Sequence, residues 1–366
     1  MSSQEKFVAV TASGTIAPGA RRTNPPRRRR HGLVLLSALL LLATVASIAI
    51  GTRSLSLGTV YDAVHNALTC PGGPFNCPAG STAEEIVRGL RLPRTALALV
   101  TGLALGIAGA LIQGYTRNPL ADAGLLGLNA GAAFLAALSI YLFAFTAPEQ
   151  YIWFAFSGAL VAGLVVFGAA AIGGGKASPL SLVLAGAAVT AFLQAMTNAI
   201  VLLDNAALDT YRFWVVGTVN GRDAEVFWQV LPFLAIGVVL AVVASPGLNL
   251  LSLGDEVARG LGVNVGRSRA LGSAAIVLLC GAATAAVGPI AFIGLVVPHV
   301  ARVFTGPDYR WLIPYSGLLG ALLLLVADVV GRIVARPGEL QVGVMIAALG
   351  APFFILLVRR KKLVSL

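Results

Sequence analysis

Stretches of about 20 residues with almost no charge recur along nearly the whole chain, and that recurrence decides what it can fold into. A helix needs roughly 20 residues to cross about 30 Å of hydrocarbon. Ten such runs lie near 33–51, 95–115, 124–145, 152–173, 181–203, 227–245, 270–287, 289–304, 311–331 and 342–358; the eighth is short and interrupted by Pro298. Of 366 residues, 57% are hydrophobic and only 11% charged, with mean hydropathy +0.87. A water-soluble domain of this size could not hide that much apolar surface. The sequence therefore predicts an all-α polytopic membrane protein with about ten transmembrane helices.

Ten crossings put both termini on one side. Arg21, Arg22 and Arg27 to Arg30 near the start, and Arg359, Arg360, Lys361 and Lys362 near the end, make that side cytoplasmic by the positive-inside rule. On this topology the outer loops are nearly neutral, and effectively all of the net charge of +11 lies inside. The basic composition thus reflects topology and calls for no nucleic acid. Residues 1–32 read as a disordered basic arm at an anionic inner leaflet of membrane lipid, 33–360 as the transmembrane domain and 361–366 as a cytoplasmic tail. The run from Leu33 to Ile50 exceeds a usual signal segment and no small-x-small site closes it, so it reads as an uncleaved first helix.

Cys70 and Cys77 fall in the loop after the first run, outside, where disulfides persist. A local disulfide is expected, two free thiols being the alternative; His65 alone could not complete a metal site. Cys280 falls within a helix as packing. No motif hydrolyses a nucleotide: around Gly173 to Ser178 the chain has Ala170 where a phosphate loop needs its first glycine, and Ala177 where a hydroxyl should follow Lys176. Active transport would then draw on an ion gradient or another subunit. Asp328 is the one intramembrane candidate for ion coupling.

Four places carry polar groups in patterns. Thr190, Gln194, Thr197 and Asn198 fall at i, i+4, i+7 and i+8, one helical face that meets water or another helix. The segment 245–269 is too polar to insert; Asp255, Glu256 and Arg259 interleave with Leu253, Val257 and Leu261, and Gly254, Gly260 and Gly262 break it into short surface helices or a solvated loop. Gly102 and Gly106, with Gly109 and Gly114, suit close helix contact, within the chain or with another. Outside, Arg91 and Arg94 flank Leu92-Pro93 at the mouth of the second run, and Arg332 stands four residues beyond Asp328, within pairing reach on a continuing helix. Cations held outside call for anionic partners; lipid headgroups or Glu84 and Glu85 are the alternatives within reach.

These residues stand within a longer pattern. Arg91-Leu92-Pro93-Arg94, Gly106-Ile107-Ala108-Gly109-Ala110 with Gln113, Arg117-Asn118-Pro119-Leu120-Ala121-Asp122, Leu253-Gly254-Asp255-Glu256, Gly288-Pro289-Ile290-Ala291-Phe292, Pro298-His299, Ala327-Asp328 and Gly350-Ala351-Pro352-Phe353-Phe354 occur in that order. The run over about 33–360 resembles the FecCD family of ABC permeases, membrane subunits of ferric-siderophore, haem and vitamin B12 importers. Ala123 and Gln341 depart from it, each standing where the family often has proline. The resemblance implies a type II ABC importer permease fold with ten helices per subunit. It also implies three partners: a second permease subunit, either a second copy or a sibling; an extracellular or periplasmic substrate-binding protein; and a cytoplasmic ABC ATPase dimer. ATP and Mg would belong to that ATPase, leaving this chain without cofactor, metal or catalytic residue. Carried over residue by residue, it implies docking of binding-protein carboxylates at Arg91, Arg94 and Arg332. ATPase coupling would run through Leu253, Gly254, Asp255, Glu256, Arg259 and Gly262. The path would follow Thr190, Gln194, Thr197 and Asn198, with an inner gate at Ser178-Pro179. The expectation is alternating-access import, foremost of ferric siderophores, across the bacterial plasma (inner) membrane. A vitamin B12 or haem importer and a gradient-driven secondary transporter are the alternatives; the latter should show inverted repeats and charged midplane residues, and only Asp328 answers.

Overall fold

The computed structural model describes residues 26–53, 55–70, 80–172 and 179–359, and among them no strand occurs. Each of the ten apolar runs forms a helix. Seven are long and apolar enough to cross a membrane, and three are shorter: Leu128–Phe143, Ile293–Thr305 and Val342–Leu356.

The first helix, α1 (Pro26–Ala49), begins earlier than expected. Proline is favoured in a first turn, where its missing N–H costs nothing, and arginine is a good helix former. Residues 26–32 therefore belong to the helix rather than to the arm expected over 1–32, and residues 1–25 lie outside the described ones. Near the helix start the Tyr315 hydroxyl donates to the Arg29 carbonyl, and Arg29 faces Asp308 at 3.8 Å. Outside, α2 (Leu57–Thr69) is capped by Ser56, whose hydroxyl accepts from the Thr59 amide. A short α3 (Thr82–Glu85) passes through a π turn (Ile86–Arg91) into α4 (Leu92–Thr116). Arg117 in the left-handed region, φ 48°, and Pro119 two residues later end α4.

Next come α5 (Leu128–Phe143), α6 (Pro148–Ile172) and α7 (Pro179–Leu203), then α8 (Asn205–Val215), a short outer helix that hydropathy did not separate from its loop. The next helix, α9 (Ala224–Leu251), continues past Ser245, where a polar segment was expected to begin. Pro246 removes the N–H that would bond the Val242 carbonyl, and the Ser245 hydroxyl supplies the missing donor at 2.8 Å. The surface segment shrinks to a short α10 (Asp255–Gly260) and its turns before α11 (Val265–Val287). Then α12 (Ile293–Thr305), α13 (Tyr309–Val334) and α14 (Val342–Arg359) follow; the expected tail, 361–366, lies outside the described residues.

The axis of the bundle is α4, packed most extensively on α13 and also on α9, α11 and α12. Of the apolar stretch that contains it 78% is buried, against 17% for α7. A Cβ at Gly102, Gly106 or Gly109 would overlap the carbonyls of Gly320, Ser316 or Gly294, so the small residues of the second run serve contacts within this chain. Pro298 leaves the Gly294 carbonyl without its helical donor. Gln113 of α4 fills that place, donating to the carbonyls of Gly294 at 3.0 Å and Leu295 at 3.2 Å while accepting from Arg302. The short eighth run thus forms a helix that continues through its proline.

Candidate functional site

An arginine-rich clamp stands at each end of α4. At the outer end α1 stops at Ala49, leaving its last carbonyls without helical donors. Arg91 donates to the carbonyls of Ile48 at 2.9 Å, Ala49 at 2.8 Å and Arg53 at 2.6 Å. Arg332 donates to the carbonyls of Ser47 and Ile50, both at 2.8 Å, and to the Ser47 hydroxyl at 2.7 Å. A guanidinium offers a fan of donors and a positive charge, and both suit a helix C-terminus. Arg94 faces away from α1. It holds Asp328 at 2.6 Å, Glu339 at 2.6 Å and the Asn220 side chain at 3.1 Å. Arg332 takes the second Asp328 oxygen, so the four-residue spacing does form a pair.

The structure therefore brings Arg91, Arg94 and Arg332 together and turns them inward, with exposures of 5%, 7% and 2%. Their partners belong to their own chain. Glu84, another candidate, is not among these partners; it accepts from Asn66 and the Gly80 amide instead. The three arginines still line an outer cleft of about 90 Å³ together with Arg53, Asn220 and Glu339. Ser47, Asn220 and Glu339 carry no sequence signal linking them to this cluster. Asp328, held by two guanidinium groups, is not a free intramembrane carboxylate.

The inner clamp has the same plan. Asp255 accepts from Arg117 and from Arg269, each at 2.7 Å, and Arg117 also donates to the Leu251 carbonyl at 2.8 Å. Gly254 (φ 113°) and Gly262 (φ 82°) bracket α10 in backbone conformations that side chains oppose. Ala258 is buried, while Leu253, Val257 and Leu261 are exposed along the free flank beside Glu256 and Arg259. The expected coupling residues thus gather on one short element fastened to α4 and α11. Arg117 belongs to this clamp and was not singled out from sequence; its signal was the Arg117-Asn118-Pro119 motif that ends α4.

The polar stripe on α7 divides. Gln194 and Asn198 are exposed and bonded to each other at 3.1 Å. Thr197 is buried and returns its hydroxyl to the Leu193 carbonyl, and half-buried Thr190 reaches the Gly124 carbonyl at 3.5 Å. Of the expected gate, Pro179 opens α7 and Ser178 lies outside the described residues, as does the glycine-rich turn before it. Cys77 also lies outside them, and Cys280 is a buried free thiol. Among the described residues no three His, Cys, Asp or Glu side chains gather where they could hold a metal ion.

The chain matches the FecCD transport family over residues 39–360. It is 46% identical over 330 residues to the ferric enterobactin transport system permease protein FepD of Escherichia coli (strain K12), spanning 90% of this chain and 94% of that protein. It is 37% identical over 332 residues to the iron(3+)-hydroxamate import system permease protein FhuB of Bacillus subtilis (strain 168), spanning 90% and 84%. A solved structure of a metal-chelate type ABC transporter in an inward-facing conformation superposes with TM-score 0.76 at 26% identity, spanning 91% of this chain and 99% of that one.

Proposed function

Because the chain belongs to the FecCD transport family, we propose that it is the membrane-spanning permease subunit of an ATP-driven importer that carries ferric siderophores inward by alternating access. The observation that carries the reading is its 46% identity to a ferric enterobactin permease over nearly the full length of both chains. The protein is an integral membrane protein and supplies the passage. ATP and Mg belong on a separate cytoplasmic ATPase dimer, and the bacterial plasma (inner) membrane is the setting.

Exposed Leu253, Val257 and Leu261 around the Asp255 clamp support ATPase docking on α10. Nucleotide-driven closure there would move α10, and Arg117 and Arg269 would pass the movement to α4 and α11. At the other end, the cleft lined by Arg91, Arg94 and Arg332 supports docking of an extracellular binding protein. A carboxylate entering it would compete with Glu339 for Arg94, a charge-assisted exchange that fixes register more than it adds affinity. The uncovered face of α7, with Gln194 and Asn198, supports a path between this chain and a second permease, gated inside near Ser178 and Pro179. A Cys70–Cys77 bridge would close the outer loop, in keeping with Cys70 being disulfide-bonded.

Vesicles holding this chain, its ATPase and the binding protein test the reading with ferric enterobactin as the probe. Uptake should require both ATP and the binding protein. Uptake that survives ATP depletion and collapses with an uncoupler would instead establish a gradient-driven carrier.

A further inference from the structure

A groove of about 940 Å³ lies between α6 and α11, at the upper end of the size range of small-molecule sites. Leu182 of α7 and Tyr115 of α4 complete its lining, while Thr190, Gln194, Thr197 and Asn198 do not reach it. Its walls are apolar, with Leu164 and Phe167 on one side and Val277 and Leu278 on the other. Leu164 is 65% exposed, so this lip belongs to the outer surface of the bundle. Along α11 the lining extends from Asn264 to Leu278, about 20 Å at 1.5 Å per residue. That is the distance from the headgroups to near the middle of a bilayer whose hydrocarbon is about 30 Å thick. A whole transmembrane helix from a second copy would need the full thickness, whereas one leaflet of acyl chain fits.

The mouth of the groove carries charge of one sign. Arg259 and Arg269 line it on the cytoplasmic side, and Arg267 is exposed nearby. Arg259 is exposed and forms no ion pair among the described residues. Arg269 is tied to Asp255 through one nitrogen and keeps further donors. Asp255 is already shared between two arginines, which leaves Glu256 as the nearby counter-charge on α10. The first turn of α11, which begins at Val265, adds the positive end of a 23-residue helix. An apolar stem one leaflet deep beneath a cationic mouth matches one class of ligand.

We propose that this groove is a site for an anionic phospholipid of the cytoplasmic leaflet. Its acyl chain would lie along α11 and its phosphate at Arg259 and Arg269. The lipid would sit at the root of the segment that holds α10, so its headgroup would brace the inner clamp. Basic pockets between membrane helices on the cytoplasmic side take such headgroups.

The full-length chain in a neutral detergent tests this with dioleoylphosphatidylglycerol against dioleoylphosphatidylcholine, binding being read by native mass spectrometry. Each arginine near an anionic headgroup contributes about fivefold, so the anionic lipid should bind more than about tenfold tighter. Ala274→Trp places a large side chain into the groove from an exposed position and should abolish that preference; Arg259→Gln should lower it about fivefold. Equal binding of the two lipids, or an unchanged preference in Ala274→Trp, would overturn the proposal. Should Ala274→Trp melt early without lipid, photoreactive phosphatidylglycerol gives the second test. Labelling confined to Tyr115, Leu182 and residues 160–167 and 259–278 supports the site and labelling elsewhere refutes it. A thermal shift by inorganic phosphate equal to that by the anionic lipid would also refute it, since the acyl stem would then be irrelevant.

Discussion

Asp328 and Asp255 are each held between two arginines at opposite ends of the same bundle, yet their surroundings give them different work. Asp328 is 1% exposed and joins Arg94 of α4 to Arg332 of α13, whose other donors cap α1. Asp255 keeps 19% of its side chain exposed and joins Arg117, just beyond α4, to Arg269 of α11. Losing a partner from a buried cluster strands a charge away from water, whereas at the surface water takes the partner's place. The outer clamp therefore holds the fold, and the inner one can transmit a displacement without threatening it. Arg94 and Arg117 stand at the two ends of α4, about 35 Å apart along its axis. The most buried helix thus spans the distance between the two clamps.

Asp328→Asn should break this contrast most severely. Arg94 and Arg332 would each lose their shared carboxylate in a buried setting, a loss of about 3–5 kcal/mol, and the protein should fail to accumulate or should melt far below the wild type. Combining Asp328→Leu with Arg332→Met removes both charges and leaves Arg94 with Glu339, and it should recover part of that loss in the same melting assay, the remainder being the α1 carbonyls of Ser47 and Ile50 that Arg332 caps. Gln113→Leu comes next. It leaves the Gly294 carbonyl, which Pro298 deprives of its helical donor, unpaired in the membrane, about 1–3 kcal/mol by thermal denaturation, and should loosen α12 against α4. Glu339→Gln acts at the rim of the outer cluster, where the side chain is 22% exposed and its amide oxygen can still accept from Arg94, so it should cost about 1 kcal/mol or less. By removing the charge that competes for Arg94 it should tighten binding-protein docking in a surface-binding assay. Weaker docking would mean that Glu339 itself contacts the binding protein.

How much of this was legible in the sequence follows from the range of each interaction. The ten apolar helices were, seven of them because hydrocarbon demands about 20 apolar residues in a crossing. The Asp328–Arg332 pair was too, because four residues make one helical turn. The Arg94–Asp328 and Arg94–Glu339 pairs, 234 and 245 residues apart, leave no periodic trace. Composition also does not say whether a guanidinium meets the end of a neighbouring helix; Arg91 reads as an outer hook, and the fold shows that it also caps α1. The boundaries at residues 32 and 245 moved for local reasons. Arginines at a helix start read as a polar arm, and Ser245 supplies the donor that Pro246 lacks. On α7 the spacing identified a face, but only packing decides that Thr197 points inward while Gln194 and Asn198 remain exposed.

The most direct test of two clamps with different work pairs melting temperature with ATP-driven ferric enterobactin uptake in the same vesicles for Asp255→Asn. The expected stability change is within about 1 kcal/mol, so the melting point should stay near that of the wild type. Uptake should fall sharply, because the carboxylate that fastens α10 to both Arg117 and Arg269 is replaced by an amide with one acceptor oxygen. Wild-type uptake in this variant, or a melting point that falls as far as that of Asp328→Asn, would contradict the division of labour between the two ends of α4.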